Sequence, residues 1–283
     1  MLEAVVNVSE GRDPSWLHQL AESTEGCVDL HVDADHNRSV LTIIGRQTDL
    51  IDSILAIGTS LLETRSLASH DGVHPRLGLL DVVPFVPLGA ATLADAAATR
   101  DLAASRLSVE LGIPCFLYGP PSPSSPAGYE SRTLPEIRRS AFSTLHPDLG
   151  PPNPHAIAGA SAVGARPYLV AWNIWLSGVS LAVTQEIAAS LRTPAVRSLG
   201  FEVSGGTQVS CNLIDPTVVT PAHVADLVAA ALDGSGSIIR CELVGLVPAS
   251  VLHAVDQRRH EELDLDPTKT IESRCAAQGI AIA

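Results

Sequence analysis

The stretch Ser69-His70-Asp71-Gly72-Val73-His74-Pro75-Arg76-Leu77-Gly78-Leu79-Leu80-Asp81-Val82-Val83-Pro84-Phe85-Val86-Pro87 decides how the chain is read. Its first part is turn-rich and carries His70, Asp71, His74 and Arg76. Its second part is an apolar, β-branched run bounded by prolines, which is how a buried strand reads. Gly72, Pro75 and Gly78 exclude a regular helix, so His70 and His74 need not share a face despite their spacing. A loop that delivers titratable groups to a rigid strand is a favoured place for chemistry, with hydrated surface histidines as the plain alternative.

Working upstream, residues 2–8 read as a strand that ends in the polar turn Asn7 to Arg12. Asp13 and Pro14 form the cap and first position of a helix through about residue 22. Residues 27–33 and 38–45 read as a hairpin around Asp33-Ala34-Asp35-His36-Asn37, and Asp49 caps a helix reaching toward residue 68. Downstream, residues 95–111 are helical and 113–118 extended. Residues 119–128 are a Pro/Ser-rich loop or lid, and 132–139 begin a short basic helix. Residues 146–164 are again rich in Pro, Gly and Ala, too long for a mere connector. From Pro167 the pattern restarts: strand 168–176, helix 180–191, strands 196–203 and 209–214 around Gly205-Gly206, helix 221–232, strand 238–244 and helix 248–256.

Both halves thus run strand, helix, strand, strand, helix, strand. The predicted fold class is α/β (α+β): two ferredoxin-like βαββαβ subdomains, residues 1–166 and 167–283, with facing sheets, helices outside and a ligand cleft between. The 283 residues suffice for two cores, and 46% apolar residues with only 4% aromatics suit strands covered by alanine-rich helices. A formal charge of −13 argues against general affinity for nucleic acid or anionic membranes, so an anionic substrate needs a local arginine cluster. Five scattered cysteines, with no paired spacing, read as small buried residues in a reducing compartment. Without a leader-like or long apolar stretch, the expectation is a soluble, cytoplasmic protein.

Polar clusters recur at strand ends of both halves: Asn7, Ser9 and Glu10; Asp33 to Arg38; His70, His74, Arg76 and Asp81; Arg132 and Arg138; His155 to Arg166; Asn173. Gln208, Ser210 and Asn212 alternate and so share one sheet face that an ordinary core would fill with apolar groups. Satisfied sheet-edge polars are the alternative. A zinc site drawn from His70, His74, His36, Asp33 and Asp35 lacks a tight ligand signature, and no metal is expected. No serine nucleophile elbow is present, and Gly159 to Gly164 precedes a strand instead of the helix a phosphate cradle needs.

Several blocks, in order over nearly the whole chain, resemble the formiminotransferase domain: Asn-Val-Ser-Glu-Gly at 7–11, Asp-His-Asn-Arg-Ser-Val at 35–40, Gly-Val-His-Pro-Arg-Leu-Gly-Leu-Leu-Asp-Val-Val-Pro-Phe at 72–85 and Arg-Thr-Leu-Pro-Glu-Ile-Arg at 132–138. Asp-Leu-Gly-Pro at 148–151, Gly-Ala-Arg-Pro-Tyr-Leu-Val-Ala-Trp-Asn at 164–173, Gln-Val-Ser-Cys-Asn-Leu at 208–213 and Leu-Val-Gly-Leu-Val-Pro at 243–248 continue the likeness. The resemblance implies a homodimer that moves the formimino group of N-formimino-L-glutamate to N5 of tetrahydrofolate, a co-substrate, in histidine degradation. It implies a folate tunnel between the subdomains, His74 as the catalytic residue, and folate contacts along Gly150-Pro151-Pro152-Asn153-Pro154-His155-Ala156-Ile157-Ala158-Gly159; since the sequence stops soon after the second subdomain, no cyclodeaminase segment is expected.

The residues suit that chemistry, because N5 must lose a proton and the departing glutamate nitrogen must gain one, which a single imidazole can do in sequence. Asp71 or Asp81 orients it. Asn7, Asn37, Arg38, Arg76, Arg166, Asn173, Gln208 and Asn212 are the further candidate substrate and folate contacts, with Arg132 and Arg138 as additional carboxylate clamps. The sequence departs from the family pattern at Trp175, Pro120 and Val73. Those departures keep open another donor such as N-formylglutamate, or a non-catalytic folate carrier.

Overall fold

The structure is a computed structural model and describes residues 1–282. Two compact units divide at Pro167/Tyr168, the second ending at Ala281. In the first, the elements are β1 (Leu2–Val8), α1 (Pro14–Ser23), β2 (Cys27–Asp33), β3 (Arg38–Gly45), α2 (Gln47–Thr64), β4 (Leu80–Pro87), α3 (Leu93–Leu111), β5 (Cys115–Tyr118), α4 (Leu134–Ser140) and β6 (Ser161–Ala165). In the second they are β7 (Val170–Ser177), α5 (Leu181–Ser190), β8 (Val196–Val203), β9 (Gly206–Leu213), α6 (Pro221–Leu232), β10 (Ser237–Val244), α7 (Ala249–His253) and α8 (Ile271–Ala277).

The second unit is a four-stranded antiparallel sheet in the order β10-β7-β9-β8. This is the strand order of a split βαββαβ unit. Val170, Trp172, Ile174 and Leu176 of β7, with Val209, Cys211 and Leu213 of β9, pack beneath α5 and α6. By alternation Asn173, Trp175, Gln208, Ser210 and Asn212 take the opposite face.

The first unit repeats the order as β2-β3-β1-β4 and then extends it with β6 and β5, both parallel to β4. Strand β6 was not expected. Its sequence, Ser161-Ala162-Val163-Gly164-Ala165, lacks the bulky β-branched residues that mark strands, because the site is crowded. A Cβ on Gly164 would lie 1.9 Å from the Tyr118 ring on neighbouring β5. Small residues are therefore what let this strand fit between its partners.

Helices α1, α2 and α3 cover one face, burying Leu17, Ile51, Ile54, Leu107 and their neighbours against Ala4, Val6, Val8, Val83 and Phe85. The short α4 lies on the other face, where Ile137 packs with Val82, Phe116, Tyr118, Ala160 and Ala162. One-sided helix cover thus holds for the second unit but not for the first. Helix α2 also starts earlier than its acidic residue suggested: Arg46 occupies the cap, Asp49 lies in the first turn, and the helix ends at Thr64. Asp49 stabilises it as a negative charge near the positive end of the helix dipole rather than as a cap. Asp13 caps α1 by accepting from the Trp16 amide, as its sequence context indicated.

The Pro/Ser-rich loop after β5 is held down. Fully buried Arg100 donates to the carbonyls of Tyr118 and Pro120 and to Ser125, while its neighbour Asp101 accepts from Ser122 and Ser125. Four of the five cysteines are buried, and none of the five forms a disulfide. No helix among the described residues is long and apolar enough to cross a membrane.

Candidate functional site

The site grows from an irregularity in the ladder between β1 and β4. Asn7 pairs with Val82 but Val8 pairs with Leu80, so Asp81 is an extra residue on β4, a β-bulge. Strict alternation from Val83 and Phe85 would send Asp81 toward the helix-covered side. The bulge instead brings its carboxylate to Arg38, which sits at the start of β3 and also donates to the Asn7 amide oxygen at 2.9 and 3.1 Å. Asn7 is in turn fixed by donating to the carbonyl of Val5.

Arg138 reaches the same Asp81 oxygen from the last turn of α4 at 3.0 Å, and the other Asp81 oxygen accepts the Leu77 amide at 2.6 Å. Helix α4 is short but well started, with a Thr133/Glu136 capping box, and two arginines in its last turn suit the dipole. Asp81 is fully buried. Burial alone would raise its pKa, but Arg38, Arg138 and the Leu77 amide outweigh it and hold the carboxylate ionised. Two guanidiniums on one carboxylate leave one positive charge in excess within a chain of strongly negative formal charge. Their side chains keep 13% and 19% exposure, enough for an anion to reach them.

His74 lies beside this cluster. Its Nδ1 is 2.7 Å from the carbonyl of Pro75, which can only accept, so Nδ1 carries the hydrogen and Nε2 the lone pair. Burial, then Arg38 and Arg138, push its pKa down to about 3, with Asp81 and the Pro75 carbonyl opposing. The imidazole is therefore neutral at pH 7, next to a surplus of positive charge. Its ring meets that of His36 edge to face, with centroids 5.9 Å apart.

The loop that carries His74 is knitted to its surroundings by backbone contacts. Arg76 donates to the carbonyls of His70, Gly72 and His74. Asn37 accepts from the Gly11 amide and donates to the Asp71 carbonyl, while His70 Nε2 bonds the Asn37 carbonyl. Asp71 is exposed and paired with Arg12. The Pro75 carbonyl and the His36 ring both meet the His74 ring, and the Asp81 charge opposes the fall in its pKa.

The other candidates fall in different places. Arg132 forms a two-point bond with Asp148 at 3.0 Å on each side, pinning the segment that leads to Gly150. Arg166 follows β6 and interacts with Tyr118 and the Pro167 carbonyl. Within 150–159, residues 151–154 and Ala156 and Ile157 are exposed, whereas Ala158 and Gly159 are buried. This segment docks at the start of β4, beside the His74 loop: Leu79 donates to the Ala158 carbonyl and Ala160 to that of Leu77. Gly78 allows the approach, since a Cβ there would lie 2.2 Å from the Ala160 carbonyl oxygen. His155 Nδ1 accepts from the amides of Ile157 and Ala158 and closes the turn.

In the second unit, Asn173 and Trp175 both donate to Glu242 at 3.2 Å. Gln208 is fully buried with neither amide atom partnered, and Asn212 is exposed. The zinc constellation does not assemble: among the described residues no three of Asp33, Asp35, His36, His70 and His74 bring ligand atoms together. Sequence reasoning placed His36 in a strand-end polar cluster and in that zinc set, not beside His74. Its contact with His74 depends on two loops meeting, which spacing along the chain does not reveal.

Residues 1–166 match the family profile described as formiminotransferase domain, N-terminal subdomain. The chain belongs to the formiminotransferase family. It is 32% identical to the formimidoyltransferase-cyclodeaminase of Sus scrofa over 89% of this chain and 51% of that protein. To the glutamate formimidoyltransferase of Streptococcus pyogenes serotype M1 it is 29% identical, over 96% of this chain and 97% of the other. To that of Thermoplasma acidophilum it is 31% identical over 89% of each. The chain spans about half the length of the animal relatives it matches.

Proposed function

We propose that the chain transfers the formimino group of N-formimino-L-glutamate to N5 of tetrahydrofolate, with His74 as general base and then general acid, and with residues 1–166 and 167–283 as the two subdomains of the transferase. The observation that carries this reading is a neutral His74, its Nδ1 held by the Pro75 carbonyl, beside Arg38 and Arg138. Both substrates bear carboxylates, and a pair of guanidiniums with one positive charge in excess suits the donor's. The N5 lone pair forms a bond to the amidine carbon while the N5 proton passes to Nε2 of His74. The tetrahedral intermediate then collapses, the carbon–nitrogen bond to glutamate breaks, and Nε2 returns the proton to the departing amine. The Nδ1–H bond to Pro75 keeps the tautomer through both steps. Segment 150–159, docked beside the His74 loop, is the assigned folate contact.

The test is direct: incubation with formiminoglutamate and tetrahydrofolate gives 5-formimino-tetrahydrofolate and glutamate. Absence of product from a folded protein refutes the reading. Running N-formylglutamate in parallel separates it from a formyl-donor enzyme, and folinate binding without turnover of either donor identifies a carrier.

The acid limb offers a second check. The base form of His74 is the active one, and in the free protein its pKa is about 3. The expected kcat/KM is therefore flat down to pH 5, whereas an ordinary histidine would halve it near pH ~6.5. In the donor complex a carboxylate offsets Arg38 and Arg138, which raises the His74 pKa. The acid limb of kcat accordingly lies at higher pH than that of kcat/KM.

A further inference from the structure

We propose that His36 is a positioning residue for His74: backed by Asp33, it is a second imidazole that steadies the His74 ring while that ring takes up and returns a proton. The inference rests on the acid–base reading of His74 given above.

His36 stands in the turn between β2 and β3 and is 5% exposed. Its Nδ1 lies 2.6 Å from one oxygen of Asp33, and its backbone amide donates to the other at 2.9 Å. Burial would raise the Asp33 pKa, but these bonds from the His36 ring and amide outweigh it and keep the carboxylate ionised. An ionised carboxylate on Nδ1 fixes the hydrogen there and turns the far edge of the His36 ring electron-rich. His74 meets that ring at 66°, edge to face.

The juxtaposition is built into the backbone. A Cβ on Gly72 would lie 2.4 Å from the His36 carbonyl oxygen, so glycine permits the two loops to touch. Asn37, next in the chain, holds the partner loop through Asp71 and His70. The charged and titratable groups around the pair are Asp33 and His31 from β2, Arg38 from β3, Asp81 from β4 and Arg138 from α4. When His74 becomes an imidazolium it faces two guanidiniums, and Asp81 is already shared between them. The Asp33–His36 pair is the other negative pole of the cluster, delivered through a ring.

Two substitutions separate charge from shape. Asp33→Asn leaves a carbonyl to accept from His36 Nδ1 but removes the charge. His36→Gln keeps a donor toward Asp33 but removes the ring. Each is expected to lower kcat about 10- to 100-fold, in the range typical of proton-transfer partners. The KM for formiminoglutamate should change less than ~2-fold, and the acid limb of kcat should move to lower pH because protonated His74 is less well supported. Unchanged kcat in both variants overturns the inference, as does a fall that vanishes once rates are expressed per folded protein. If the unsubstituted protein transfers no formimino group, the parent reading fails instead, so the two failures are distinguishable.

Discussion

His74→Asn is expected to abolish formimino transfer, with kcat down by about 10³-fold or more, while leaving the protein folded at pH 7. Asparagine keeps a donor toward the Pro75 carbonyl but has no nitrogen able to cycle a proton. Product formation in single-turnover mixing is the measurement, and an unchanged rate would remove His74 from the chemistry. The same variant changes the response to acid. The folded-state pKa of His74 is depressed to about 3, below its unfolded value, so the unfolded chain takes up the proton first as pH falls. Wild-type stability therefore declines from pH ~6.5 downward because the buried ring resists charging. The variant lacks this loss and should be relatively more stable at pH 4 by roughly 2 kcal/mol, a figure already discounted for partial exposure. Urea midpoints at pH 7 and pH 4 read the difference.

Asp81→Asn is expected to be the most damaging conservative change in the first unit. The substitution removes the charge between two guanidiniums at a position with no solvent access. Breaking one side of a buried ion pair costs about 3–5 kcal/mol; the partial exposure of Arg38 and Arg138 brings the expected loss to about 2–4 kcal/mol. A fall of that size in the urea-derived unfolding free energy is the expected readout. Sulfate or a dicarboxylate should recover more stability in the variant than in the wild type, because the anion then stands in for the lost carboxylate. Equal effects on both would show that the arginine pair does not hold anions.

The repeated strand order was legible because both units depend on local signals: alternation in β9, the Asp13-Pro14 start of α1, and the glycine turn before β9. Strand β6 was not legible, since its small residues answer to Tyr118 across the sheet rather than to their own propensity. The sorting of the arginines was equally hidden. Arg76, Arg132 and Arg138 look alike in sequence, yet one ties a loop, one clamps Asp148 and one meets Asp81. What distinguishes them is a bulge and a helix terminus, and neither leaves a pattern in a short window. His36 illustrates the same limit, because its partner His74 arrives from a loop folded back by Gly72 and Asn37.

The surplus residue at Asp81 also sets how the molecule tolerates changes of length. Deleting one position from the start of β4 would let the ladder run straight, and the alternation would then point the following hydrophobic side chains and the acid to exchanged sides. A frame slip of one step there converts a reactive corner into filler and leaves Arg38 and Arg138 repelling each other. Any indel between Leu77 and Val82 should therefore cost the ion-pair cluster as well as the ladder.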